Sequence, residues 1–288
     1  MKQVDPKEIA KLCLHLENHY KTQLQSTEHR WAIVSQWDIP EDSRVLELGC
    51  GQGDCTAVLA DLVGPNGHVT AVDPGAPDYG GPFTLGQAQV HLSSGPLGES
   101  ISWKRAFPIE FLNSDESGEY DIAVLVLCTW YFSTPSILTE TLSALNKKAK
   151  RILIAEWDLS SGKPSTNAHV LAVLTQAALE VRKEETVSNV RTLFTPSTIE
   201  AAASEAGLKL EKASVLDTAD DVLDGYWEVL AVKDEGFVKQ IEKFVQNERE
   251  RYLVKSMREA LLGALKDVGG PKNVKSMGVW CGSFVRAQ

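Results

Sequence analysis

Apolar stretches of strand length recur along the chain and alternate with longer segments of helical periodicity. The strand-like stretches are Arg44–Leu48, His68–Asp73, Ile101–Ala106, Ile122–Cys128, Arg151–Trp157, Leu208–Leu216 and Met277–Val285. Ile122–Cys128 and Arg151–Trp157 are continuous apolar runs, the pattern of strands covered on both faces. Helices are predicted at Pro6–Tyr20, around Trp31–Trp37, and over Asp54–Leu62, Thr84–His91, Pro135–Leu145, Asn167–Arg182 and Ile199–Ala206. Thr195 is a good N-cap with Pro196 in the first turn, and Gly207 is a good stop. Strand and helix in repeated alternation predict an α/β fold with a doubly wound, mostly parallel sheet. Ligands of such sheets lie at the carboxyl ends of the strands.

One stretch departs from this rhythm. Some sixty residues separate the strands at Leu208–Leu216 and Met277–Val285, more than common connections need. They carry a predicted helix from Phe237 to Lys266, with Ile241, Phe244, Val245, Leu253, Met257, Leu261 and Leu265 on one side. Tyr226–Val232 reads equally as helix or strand. The expected organisation is an N-terminal helical cap at 1–40 and a core of 41–216 plus 276–288. A helical insertion at 217–275 serves as lid or interface, and 160–194 contributes to a roof.

The chemistry-bearing stretch is Val45–Thr56, V-L-E-L-G-C-G-Q-G-D-C-T. Strand, glycine turn and helix form a nucleotide-binding βα unit, in which glycine lets the backbone approach a ligand. A dinucleotide fingerprint needs Gly or Ala at 54, where Asp54 would face a pyrophosphate with like charge. No G-x-x-x-x-G-K-S/T phosphate loop occurs. Asp73, 26 residues after Glu47, ends the next strand where an acid reaches ribose hydroxyls.

E-x-G-x-G-x-G with this second acid resembles motif I of the class I S-adenosylmethionine-dependent methyltransferases, and the likeness covers about 40–216 and 276–286. It implies a seven-stranded Rossmann-like sheet with an antiparallel last strand, S-adenosylmethionine as cofactor and S-adenosylhomocysteine as product. The cofactor residues it implies are Glu47, Gly49, Cys50, Gly51, Gly53, Asp73, Pro74, Ala106, Phe107 and Cys128, with Tyr20 closing over the cofactor from the N-terminal cap. The family often places an Asp soon after the third strand. This chain has Ala106-Phe107-Pro108, and Phe107 is expected to pack on the adenine instead.

Charge narrows the acceptor. The net charge is −10, which argues against nucleic acid and against an anionic membrane surface. The start of the chain is polar, no run of 18 apolar residues occurs, and the five cysteines form no C-x-x-C. Reduced thiols in a cytoplasmic protein without a metal site are expected. The paired acids of catechol-type enzymes are absent, since Asp220-Asp221 lies on the wrong element.

A sulfonium is already activated, so the protein mostly positions the acceptor, with a base where the acceptor needs deprotonation. Trp130, Tyr131 and Phe132 follow the fourth strand and Trp157 ends the fifth. They suggest a small aromatic or hydrophobic, natural-product-like substrate, against the alternative of a core cluster. His169, His29 and Glu156 are the candidate bases, against the alternatives of structural histidines and a capping acid. The reading is methyl transfer to O or N of a small molecule, with a homodimer through the insertion as one expectation. Two rivals stay open: a protein methyltransferase, and a methyltransferase-like protein that binds the cofactor but catalyses cyclisation or isomerisation.

Overall fold

The seven apolar stretches pair into one sheet in a computed structural model that describes residues 4–160, 162–184, 186 and 188–287. The remaining positions of the expected cap, roof and C-terminus lie outside the described residues. The strands are β1 (Arg44–Leu48), β2 (His68–Asp73), β3 (Ile101–Arg105), β4 (Tyr120–Val126), β5 (Ala149–Trp157), β6 (Leu208–Leu216) and β7 (Val279–Arg286). Their order is β3-β2-β1-β4-β5-β7-β6, with β7 antiparallel to both neighbours. The seven-stranded, mostly parallel sheet expected from the sequence is therefore present. The order reverses between β1 and β4, the switch point at which such sheets hold their ligands in a crevice over the carboxyl ends of the strands.

The helices are α1 (Pro6–Leu12), α2 (Tyr20–Val34), α3 (Asp54–Val63), α4 (Leu85–Ser93), α5 (Pro108–Ser114), α6 (Pro135–Lys148), α7 (Asn167–Glu180), α8 (Pro196–Glu205), α9 (Asp224–Lys233), α10 (Glu235–Phe244) and α11 (Glu248–Asp267). Thr84 and Thr195 cap α4 and α8 with reciprocal bonds to the residue three places on.

Three expectations change. The first helix stops at Leu12, where Cys13 is extended and its carbonyl accepts from His15 Nδ1 at 2.7 Å. The second then begins at Tyr20, well before Trp31. The single helix over Phe237–Lys266 is two helices. Asn247 accepts from the backbone N–H groups of Arg249 and Glu250 and caps a new start, while Arg251 satisfies the released carbonyls of Val245 and Gln246. The ambiguous stretch around Tyr226 is helix α9, and α5 is a short helix that the pattern did not signal.

Burial divides the molecule in two. The sheet, α3 and parts of α1 and α2 share one apolar cluster that includes Ile9, Ile33, Val45, Leu59, Val124, Leu153 and Phe284. A second cluster joins Ala168, Ala172 and Leu179 of α7 to Val229, Ile241, Val254, Leu261 and Leu265. Helix α7 is the wall between them: Val173 faces the sheet cluster and Ala172 the roof. The insertion thus has a small core of its own and leans on one helix. No helix among the described residues is long and apolar enough to cross a membrane.

Candidate active site

The floor of the crevice is backbone. Gly49 N and Cys50 N both donate to Val72 O, at 2.8 and 3.2 Å, folding the loop back over β2. Gly49 has φ +78° and lies against Cys128, whose Cβ would stand 2.6 Å from an added methyl. Gly51 has φ +53° and nothing within 4 Å of an added Cβ, so it faces open space. Asp73 collects Gly51 N on Oδ2 at 2.9 Å and Gly75 N on Oδ1 at 2.7 Å. Its carboxylate stands half-buried at the end of β2.

Glu47 is placed differently from its expected role. It is 2% exposed and accepts from Thr56 Oγ1 at 2.5 Å. Burial raises its carboxyl to about 7, against the opposing effect of that bond. It braces β1 to the first turn of α3, beneath the open space.

Beyond β2 the Gly/Pro loop folds back on the glycine turn. Gln52 Nε2 donates to Phe83 O at 2.6 Å and Gln89 Nε2 to Gly51 O at 2.9 Å. Pro74 is exposed beside Asp73. Ala106 N donates to Asp73 O at 3.3 Å, and Phe107 beside it is 59% exposed at the start of α5. An aromatic face is thus offered where an adenine would lie.

On the acceptor side, β4 ends in a bent segment. Leu127 has φ +51°, a conformation costly for a residue with a side chain, held by its N–H on Ala155 O at 2.9 Å. Cys128 Sγ donates to Leu48 O, and burial pushes its thiol pKa well up, so it is an inert neighbour of the loop. Glu156 accepts from Thr129 N and Oγ1, at 2.9 and 2.7 Å, and from Trp157 N at 3.0 Å. Burial, the largest effect on it, holds its carboxyl near 7 in spite of those bonds. Its geometry is that of a clamp between the ends of β4 and β5.

The aromatic run divides. Trp130 is 4% exposed and donates its Nε1–H to Phe194 O at 2.9 Å, which puts it in the core behind the crevice. This corrects its expected role in substrate binding. Tyr131 is 44% exposed and Phe132 is partly buried against the sheet cluster.

Trp157 sits between the two candidate histidines. His29 stacks on it at 5.4 Å, and His169 meets it edge-on at 5.4 Å. Their protonation follows from their partners. Arg30 Nη1 lies 3.1 Å from His29 Nδ1, and Met277 N lies 3.0 Å from His169 Nδ1. Both partners can only donate, so each Nδ1 is the acceptor and each Nε2 carries the hydrogen. Burial lowers both rings to about 3. Neither ring offers a lone pair to the crevice, and both Nε2 atoms are buried without a partner among the described residues. The expectation that either serves as base is corrected on this ground. Tyr20 is also tied elsewhere: its hydroxyl donates to Lys7 O at 3.1 Å and its ring packs on His15.

Four polar residues on the surrounding helices were not singled out from the sequence. They are Arg30 on α2, Asp224 and Glu228 one turn apart on α9, and Gln176 on α7, whose Nε2 donates to Glu228 at 2.5 Å. Burial raises the carboxyl pKa of both acids; the Arg30 charge opposes this at Asp224, and the Asp224 charge adds to it at Glu228. The acidic i, i+4 pair was the available signal, obscured by the ambiguity of its segment. No cluster of metal-ligating side chains occurs among the described residues.

Comparisons with known proteins agree with this geometry. A family profile described as "Methyltransferase domain" matches residues 19–213. Methyltransferase phomM' of Diaporthe leptostromiformis is 27% identical over 86% of this chain and 74% of its own length. The solved structure of a cyclopropane-fatty-acyl-phospholipid synthase-like protein from Lactobacillus casei superposes with a TM-score of 0.86 at 29% identity, covering 97% of this chain and 98% of that one. Geranyl diphosphate C-methyltransferase from Streptomyces coelicolor, solved with S-adenosylhomocysteine, shares the fold at a TM-score of 0.51 and 12% identity, over 96% of this chain and 88% of that one. A glycine turn open at Gly51, a half-buried acid at Asp73 and a family match over most of the chain lead to one statement: this chain belongs to the methyltransferase-domain family and is a class I S-adenosylmethionine-dependent methyltransferase.

Proposed function

We propose that the protein methylates an oxygen or nitrogen of a small molecule with aromatic or hydrophobic character, using S-adenosylmethionine. The observation that carries this reading is the roof. Gln176 on α7 holds Glu228 on α9, and Tyr131 is exposed after β4. Gln25 on α2 bonds Asp221 at 2.9 Å, and the Tyr79 hydroxyl reaches Asn189 at 3.5 Å. A space bridged from two sides suits a small acceptor better than a folded protein, and a chain of net charge −10 suits nucleic acid poorly.

The residues of the floor fit the cofactor. Gly51 leaves room for it, Asp73 would hold its ribose, Phe107 would cover its adenine, and Glu47 supports the turn from beneath. When bound, S-adenosylmethionine supplies a methyl group on a sulfonium, open to in-line attack. The chain does the rest by position. Glu156 clamps the loop after β4 so that the acceptor is held in line, and Trp157, fixed between two neutral histidines, gives it a rigid apolar wall. Glu228, held by Gln176 on the roof, would take the acceptor's proton, and burial raises its carboxyl above the ordinary carboxylate range.

Incubation with tritiated S-adenosylmethionine and a panel of phenols, amines and hydroxylated terpenoids tests the reading. Label should enter small solutes and not protein or RNA. Glu228→Gln should lower kcat/KM about 10²-fold while S-adenosylhomocysteine still binds, and Asp73→Ala should lose the cofactor. Label found in protein in preference to every solute would refute the substrate class.

A further inference from the structure

Helix α2 runs between the glycine loop and the roof and is tied to both. Gln23 Nε2 donates to Asp54 Oδ1, the first residue of α3, at 2.7 Å. Gln25 Nε2 donates to Asp221 Oδ2, in the segment leading into α9, at 2.9 Å. Arg30 lies seven residues beyond Gln23, on the same face of α2 and about 10 Å further along the helix.

Arg30 is half-buried and short of partners. Its guanidinium bonds His29 Nδ1, and among the described residues no carboxylate lies within ion-pair distance of it. Most of a fork that favours carboxylates is unused. On the roof side is Asp224, three residues after the Asp221 that Gln25 binds, half-buried at the first turn of α9 and with no side-chain partner among the described residues. The two feel each other: burial raises the Asp224 carboxyl and the Arg30 charge, the next largest effect, lowers it. Yet they make no ion pair. Opposite charges drawn part-way out of water and held apart are costly unless a group of complementary charge lies between them. Glu47, the acid that motif I would offer to an ammonium, is closed off beneath the loop by Thr56.

Resting on the function proposed above, we propose that Arg30 and Asp224 grip the α-amino acid end of the cofactor, the guanidinium on its carboxylate and the Asp224 carboxylate on its ammonium. A zwitterion between them satisfies both charges. The inserted helix α9 is then a cofactor-binding element as well as a roof, and cofactor binding draws the roof down onto α2. The methionine end belongs here because Gln23 anchors this face of α2 at the glycine loop, while adenine and ribose are served from Asp73 and Phe107 on the other side.

Calorimetric titration of the full chain with S-adenosylhomocysteine and with 5′-methylthioadenosine, which lacks the amino acid end, tests this. Arg30→Gln and Asp224→Asn should each weaken S-adenosylhomocysteine about 10- to 100-fold. Methylthioadenosine should bind all three proteins within about twofold, the error of such a comparison. Arg30→Lys should recover part of the loss. Parallel weakening of both ligands would mean that these residues act through the fold, and unchanged S-adenosylhomocysteine affinity would mean that the zwitterion lies elsewhere. Either result overturns the grip and leaves the cofactor assignment standing. If wild-type protein binds neither ligand, the cofactor assignment falls and takes the grip with it.

Discussion

The floor and the roof of the crevice are built on different principles. The floor is main chain: Gly49, Cys50, Gly51 and Gly75 offer their N–H groups to Val72 and Asp73, and the side chains beneath it, Glu47 and Thr56, are sealed from solvent. The roof is side chain: Gln176, Asp224 and Glu228 come from α7 and α9, which pack on a cluster separate from the sheet, and Arg30 comes from α2, which packs on the sheet cluster. A main-chain floor is set by backbone conformation and varies little with the ligand's identity. A side-chain roof can be rewritten position by position, which is where acceptor specificity belongs. The glycine turn of the floor was legible in the sequence, and the polar groups of the roof were not.

The sharpest test of the contrast uses two glycines of one loop. Gly49→Ala drives a methyl to 2.6 Å from the Cys128 Cβ at φ +78°. Left-handed backbone and overpacking together should cost roughly 4 kcal/mol in denaturant unfolding. Gly51→Ala meets nothing within 4 Å and should cost about 1 kcal/mol, yet abolish S-adenosylhomocysteine binding, because its methyl enters the ligand's space. Equal stability losses in the two variants would end the distinction between a packed and an open glycine.

Leu261→Ala removes a fully buried side chain from the roof cluster alone. A loss of about 3 kcal/mol is expected, and hydrogen exchange should locate it. Amides of α9, α10 and α11 should lose protection while those of β1, β4 and β5 keep theirs. Loss of protection in the sheet to the same degree would show one cooperative unit where two clusters are described.

Acidity separates the groups around the crevice more finely. His29 and His169 are held neutral, with pKa values near 3 against an ordinary 6.5. Between those values the unfolded chain binds protons that the folded chain refuses, so their contribution is present above pH 6.5 and is lost as pH falls. Glu47 and Glu156 are raised from 4.5 to about 7. Between pH 7 and 4.5 the folded chain holds protons that the unfolded chain releases, so acidification in that window favours folding. These two pairs offset each other, and Asp224 and Glu228, also raised by burial, add to the acids' side, so the wild type should lose little stability from pH 6.5 to 4.5. The double variant His29→Gln, His169→Gln, followed by urea unfolding, should instead gain stability as pH falls through that window. A wild type that loses stability steeply from pH 6.5 downward would contradict the balance.

The smallest effect concerns the rim. Tyr79→Phe deletes a 3.5 Å contact between exposed groups. The acceptor KM should change less than about threefold, the worth of a weak hydrogen bond. A larger change would place the Tyr79 hydroxyl on the acceptor.

Particular residues show where sequence reasoning reached its limit. β4 and β5 were found because an apolar run covered on both faces has no other stable placement, and β6, read from its alternation, matched its expected bounds of Leu208–Leu216. Gly51 and Asp73 were found because strand, turn and acid are adjacent or regularly spaced along the chain. The break at Asn247 was obscured by continuous helical periodicity on either side, since a side-chain cap competes with the backbone only locally. Trp130 and Tyr131 are neighbours in sequence, yet one turns into the core at 4% exposed and the other out at 44%. A short helical turn, Thr129–Tyr131, decides that direction.

By itself the sequence determined the sheet, the glycine loop and the family, because each depends on short-range pattern: periodicity, backbone freedom at glycine, and an acid at a strand end. Only the tertiary structure decided which polar groups look into the crevice. Arg30, Gln176, Asp224 and Glu228 are spread over nearly two hundred residues and meet only when α2, α7 and α9 are packed. The same packing silenced the two histidines. Protonation and access are set by the partners that folding supplies, and the residue type alone carries neither.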